Sequence, residues 1–152
     1  MKWRKITTES IEDVGNEDDG QEVPFKLKEV DEITPDNDGY GSYASDAKFL
    51  IDVYLSRQAK AYYTNGHIPE DEEAEWRECL AAVLVEFEYW MPEDEYNYAG
   101  YEEGKMLFVI DRRDGELCEV DDFTNGRPEE ISDVAREEAE KEAYKFLGIK
   151  KS

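Results

Sequence analysis

The chain is short of bases. Eighteen lysines and arginines face forty aspartates and glutamates over 152 residues, leaving a formal charge of −22. That deficit excludes direct, unassisted binding to nucleic acid or anionic lipid, both of which are recognised through Lys and Arg. Cysteine is also scarce. Cys79 and Cys118 are too few for a disulfide framework and lack metal-ligand spacing, so two reduced, mostly buried thiols are expected. His67 is the single histidine, which leaves one candidate base for any nucleophile–histidine–acid arrangement. No apolar run follows Met1-Lys-Trp-Arg-Lys-Ile6, so no signal peptide is expected. No stretch approaches a membrane span, and no Asn-x-Ser/Thr acceptor occurs. A cytoplasmic location is the simplest expectation.

Material for a core is present. Hydrophobic residues make up 39% and aromatics 12%, including three Trp, six Phe and ten Tyr, which argues against a wholly disordered acidic chain. The length suits one domain. We therefore expect a single acidic domain over residues 1–152, with residues 1–20 a flexible lead.

Periodicity supplies the elements. Phe25 and Leu27, with Val23, alternate with polar neighbours and suggest a short strand. Pro35-Asp-Asn-Asp-Gly-Tyr-Gly41 is a turn-rich loop. A helix is expected from Ser45 to Tyr63, with Ala47, Leu50, Ile51, Tyr54, Leu55 and Tyr62 at helical spacing and Asn65-Gly66 as its stop. Pro69 opens a second helix, with Glu70, Asp71, Glu72 and Glu73 at the positive end of its dipole. Trp76, Cys79, Leu80 and Val83 form its expected inner face. Alternation from Val83 to Trp90 then reads as a strand after about Ala81. Pro92 to Gly104 is expected to be an acidic, tyrosine-rich loop, followed by a hairpin: Met106–Ile110, the turn Arg112–Gly115, and Leu117–Val120. A last helix follows Pro128, with Ile131, Val134, Ala135, Ala139, Ala143 and Phe146 inward and Gly148 as its stop. The expected fold class is α+β: about three helices packed on a small, mainly antiparallel β-sheet.

The charge is unevenly spread. Residues 68–104 hold thirteen acids and one base, Arg77, whereas residues 44–67 are nearly neutral. General salt adaptation predicts acids over every exposed face, and bulk solvation of each run is the plain alternative. Concentration in one stretch favours a surface addressed to a cationic partner. The expected partner-binding residues are Glu70, Asp71, Glu72, Glu73, Glu75, Glu86, Glu88, Glu93, Asp94 and Glu95 as phosphate surrogates, together with Glu102 and Glu103. Tyr96, Tyr98 and Tyr101 would serve as anchors at the rim. Arg in a partner accepts carboxylate or phosphate alike.

This acid excess, small size and acidic-aromatic mixture in residues 68–104 resembles the nucleic-acid-mimic inhibitors of bacteriophages and mobile elements, of the anti-restriction and anti-CRISPR type. The resemblance implies a non-enzymatic inhibitor and a basic nucleic-acid-binding partner, such as a defence nuclease. A weaker likeness, carried by helix, strand and the hairpin at Ile110-Asp-Arg-Arg-Asp-Gly115, is to toxin-immunity proteins. These would neutralise a cationic toxin. A small acidic enzyme or ligand-binding domain is the remaining alternative. Homodimerisation would extend an acidic surface, but no clear apolar stripe points to it.

Catalytic and metal motifs fit poorly. Taking Gly39 as the glycine of a calcium loop places Thr34 and Ser45 where carboxylate ligands belong, and taking Gly20 places Gly15 and Lys26 there. A nuclease triad could be assembled only from Asp36, Glu103 and Lys105, all on expected loops. Gly39-Tyr-Gly41 lacks the spacing and lysine of a phosphate loop. Neither catalytic residues, metal nor cofactor are expected.

Overall fold

The computed structural model describes residues 5–6, 25–35, 42–93, 95–96, 98–124 and 129–151. In chain order the elements are β1 (Lys5–Ile6), β2 (Phe25–Glu32), α1 (Ser42–Tyr62), α2 (Glu70–Cys79), β3 (Leu80–Met91), β4 (Gly100–Asp111), β5 (Glu116–Asp122) and α3 (Glu129–Leu147). The sheet order is β1-β2-β3-β4-β5. Strands β2 to β5 are antiparallel, and β1 pairs parallel with β2, Lys5 opposite Phe25. The class is α+β, as the periodicity predicts. Apart from Lys5–Ile6, the segment expected to be a flexible lead lies outside the described residues, as does the turn-rich loop beyond Pro35.

The chain divides into two compact units, and the long strands contribute to both. The first comprises Met1–Val30, Val85–Met106 and Asp122–Ala143. Here β3 alternates: Val85, Phe87, Tyr89 and Met91 are buried while Glu86, Glu88 and Trp90 are half-buried. One-sided burial at period two makes this half of the strand. Phe87 stacks on Phe25 at 5.1 Å and leans against Tyr89 at 6.2 Å. On α3, Ala135, Ala139 and Ala143 recur every fourth residue on one fully buried stripe.

The second unit comprises Asp31–Leu84, Leu107–Asp121 and Tyr144–Ser152. Two of its strand segments, Leu80–Leu84 and Leu107–Asp111, are buried at every position, and up to Asp111 they show the apolar pattern of strands covered on both faces. Ala47, Leu50, Ile51, Tyr54, Leu55 and Ala59 form the buried stripe of α1. Helix α2 passes straight into β3, because Leu80 is already extended at φ −93, ψ 133.

Several boundaries and faces differ from expectation. Helix α2 ends at Cys79, so Leu80 and Val83 bury themselves as strand residues. Tyr62 is 71% exposed because the buried stripe of α1 ends at Ala59 and the last turn runs past it. Phe146 is 47% exposed, and Tyr144 takes the buried place. Its hydroxyl donates to the Gly115 carbonyl at 2.8 Å, a bond phenylalanine cannot make. Gly148 ends α3 at φ +69 with its N–H on the Lys145 carbonyl, as predicted for a glycine stop.

The largest difference lies in β4, which starts six residues before Met106, inside the expected loop. Gly104 makes this start possible: a Cβ there would sit 2.4 Å from the Phe87 ring. Gly104→Ala is therefore expected to lose about 1–3 kcal/mol. Chemical denaturation checks this, with Gly100→Ala, where nothing lies within 4 Å, as the near-neutral comparison.

Candidate functional surface

In the second unit, the expected site residues are carried by α2. Four acids fill its first turn, where the unsatisfied N–H groups favour negative charge. No residue of this helix is buried. Glu70, Asp71, Glu72 and Glu75 are exposed and Glu73 is half-buried. Arg77 is the internal counter-ion. Its Nη2 donates to Asp52 Oδ1 at 2.6 Å and to Glu73 Oε1 at 3.4 Å. Burial alone would lower the Arg77 pKa, but these two carboxylates outweigh it and raise it. The Tyr63 hydroxyl donates to Glu72 Oε2 at 2.7 Å, and that bond raises the tyrosine's pKa.

In the first unit the acids meet cations across the sheet. Lys28 Nζ lies 3.3 Å from Glu103 Oε1 and 3.7 Å from Glu88 Oε1. Lys105 Nζ lies 3.9 Å from Glu86 Oε1. The hydrogen bond to Glu103 is the main reason the Lys28 pKa is raised. Tyr101 packs edge-on against Trp90 at 5.0 Å, with the Lys26 ammonium 3.8 Å from its ring centre. Glu93, Glu95 and Glu102 are exposed, and Tyr96 and Tyr98 are 88% and 92% exposed. Asp94 lies outside the described residues.

The expected surface thus divides into three kinds of residue. Glu70, Asp71, Glu75, Glu93, Glu95 and Glu102 present carboxylates to solvent. Glu72, Glu73, Glu86, Glu88 and Glu103 bond within their own unit. Of the three tyrosines, Tyr96 and Tyr98 stand out from the surface, whereas Tyr101 belongs to the sheet. Asp52 was missed. It sits on the nearly neutral α1 and joins the acidic helix only through Arg77, a link that no local pattern signals.

A second polar cluster in the same unit centres on Asp111, which is 2% exposed. Arg113 closes a fork on it, Nε to Oδ1 at 3.0 Å and Nη2 to Oδ2 at 2.7 Å, while the Arg113 backbone N–H donates to Oδ1 at 2.9 Å. The guanidinium lies 4.9 Å above the Trp76 ring. Burial, the largest single influence, would raise the Asp111 pKa, yet the Arg113 bonds and charge together hold it below the usual value. Burial pushes the Cys118 thiol up to about 12, so it stays protonated at neutral pH.

The residues considered for chemistry do not converge. His67 is exposed, with its Nε2 3.3 Å from Asn65 Nδ2. Glu103 and Lys105 are engaged with Lys28 and Glu86, and Asp36 lies outside the described residues. Among the described residues, no group of three or more His, Cys, Asp or Glu side chains is placed to hold a metal ion. None of their helices is long and apolar enough to cross a membrane. Comparison with protein-family models, characterised proteins and solved structures found no match to this chain.

The Asp111 fork gives a pH prediction. A carboxyl whose folded pKa is depressed adds stability above its unfolded pKa, and that stability is lost as pH falls through the folded value. Arg113→Met is expected to lower the melting temperature most near neutral pH. The gap from the parent chain should narrow below about pH 4, as Asp111 protonates. Thermal melts from neutral to acid pH measure it.

Proposed function

We propose that the chain is a non-enzymatic inhibitor that presents an acidic, nucleic-acid-like surface to the basic channel of a nucleic-acid-binding protein, such as a defence nuclease. The charge density of α2 carries this reading. Ten residues at ~1.5 Å rise give a helix of roughly 15 Å. It holds six acids and Arg77, so its net charge is about one per 3 Å, against roughly one per 3.4 Å along a single DNA strand. The outward Tyr96 and Tyr98 support it further, since a channel built for nucleic acid also offers surfaces for flat rings.

Adding the full chain to DNA complexes of restriction and CRISPR effector nucleases tests the proposal. Displacement of DNA from one such enzyme is expected at low salt, fading toward about 1 M as screening shortens. Replacing Glu70, Asp71 and Glu75 together with glutamine is expected to weaken displacement by roughly tenfold or more. Binding that is unchanged at high salt, or that leaves DNA in the channel, would rule mimicry out.

A further inference from the structure

The two helices of the second unit enclose a groove that the charge count alone does not reveal. Leu55 and Ala59 of α1, with Ile68 from the connecting turn, make an apolar floor, each no more than 7% exposed. Asp52, Glu70 and Glu73, all more exposed than this floor, supply carboxylates to its edge, and Arg77 and His67 also line it. The cavity measures about 430 Å³, within the ~300–1,000 Å³ typical of ligand pockets. Ile68 is buried where the chain turns through Gly66 (φ 75) into α2, so the floor is fixed by the fold and does not depend on the carboxylates.

We infer that this groove receives one arginine side chain of a cationic partner. The inference rests on the reading above that the partner is basic, and it names the contact. An apolar floor beneath a carboxylate edge matches an arginine, whose methylene stem buries while its planar head bonds to acids. The chain itself shows that these carboxylates accept a guanidinium, since Arg77 is shared between Asp52 and Glu73. Arg77 bonds one oxygen of each, Asp52 Oδ1 and Glu73 Oε1, and a carboxylate has about four acceptor sites. The edge thus retains acceptor capacity, and the exposed Glu70 adds to it. Three carboxylates against one guanidinium leave the groove negative, complementary to a second guanidinium.

Titrating the isotope-labelled full chain with N-acetyl-arginine amide, followed by NMR, tests this. Saturable shifts centred on residues 66–73 are expected. Glu70→Gln should weaken the response roughly threefold to tenfold, since a charge-assisted bond is lost. Glu75→Gln, an equal loss of charge on the same helix outside the groove, should change it by less than about twofold. Ser56→Phe, which fills the groove at no change of charge, should abolish the saturable shifts while thermal melts verify the fold. Equal weakening by Glu70→Gln and Glu75→Gln, or shifts spread over all acidic segments, overturns the inference. An equal response to N-acetyl-lysine amide overturns its assignment to arginine. The groove can fail in these ways while the chain still displaces DNA, so the two proposals fall separately.

Discussion

Forty carboxylates on one folded chain repel one another, and only eighteen cations are present to stand between them. The structure answers by sharing. Lys28 serves Glu88 and Glu103, Arg77 serves Asp52 and Glu73, and Arg136 serves Asp122 and Asp133. The shared cations also join separate elements: Arg77 links α2 to α1 and Lys28 links β2 to β3 and β4. Arg57 likewise bonds Glu119, tying α1 to β5, and Arg112 bonds Glu32. An exposed pair contributes only about 0–1 kcal/mol. Their larger effect is to relieve repulsion where strands and helices must meet.

This constraint explains which parts of the fold were legible in the sequence. Apolar periodicity reports burial, so α1, the Ala135-Ala139-Ala143 stripe and the alternation of Phe87 and Tyr89 could be read directly. The start of β4 could not. Tyr101, Glu102 and Glu103 look like loop in isolation, and become strand because Trp90, Lys26 and Lys28 lie across the sheet. Cross-strand partners supply the reason, and they are distant in sequence. Tyr62 and Phe146 fail for the opposite reason: their spacing is helical, but the surfaces that bury their helices end before them.

The same contrast runs through the candidate surface. The acids on α2 were legible because a proline-led run of carboxylates is a helix start in its own right. Which of them are engaged was not. Glu72 meets Tyr63 and Glu73 meets Arg77, while Glu86 and Glu88 are drawn in by lysines of neighbouring strands. Asp52 and Ile68, which help line the groove, carry no local signal, because their roles arise only when the two helices turn back on each other.

The position of the densest charge follows from the helix itself. Like charges one turn apart, such as Asp71 and Glu75, repel by about 0.2–0.5 kcal/mol on an exposed helix. Acids in a first turn gain about 0.3–1 kcal/mol from the unpaired N–H groups there. The two effects are of similar size, so the start of α2 can carry Glu70 to Glu73 with little loss, and a β-strand has no comparable dipole to offset such a run. On the sheet the acids at Glu86, Glu88 and Glu103 require lysines beside them; on α2 the backbone does part of that work. The start of the helix is therefore a place where a dense run of carboxylates can stay exposed to a partner with little help from the chain's own few cations.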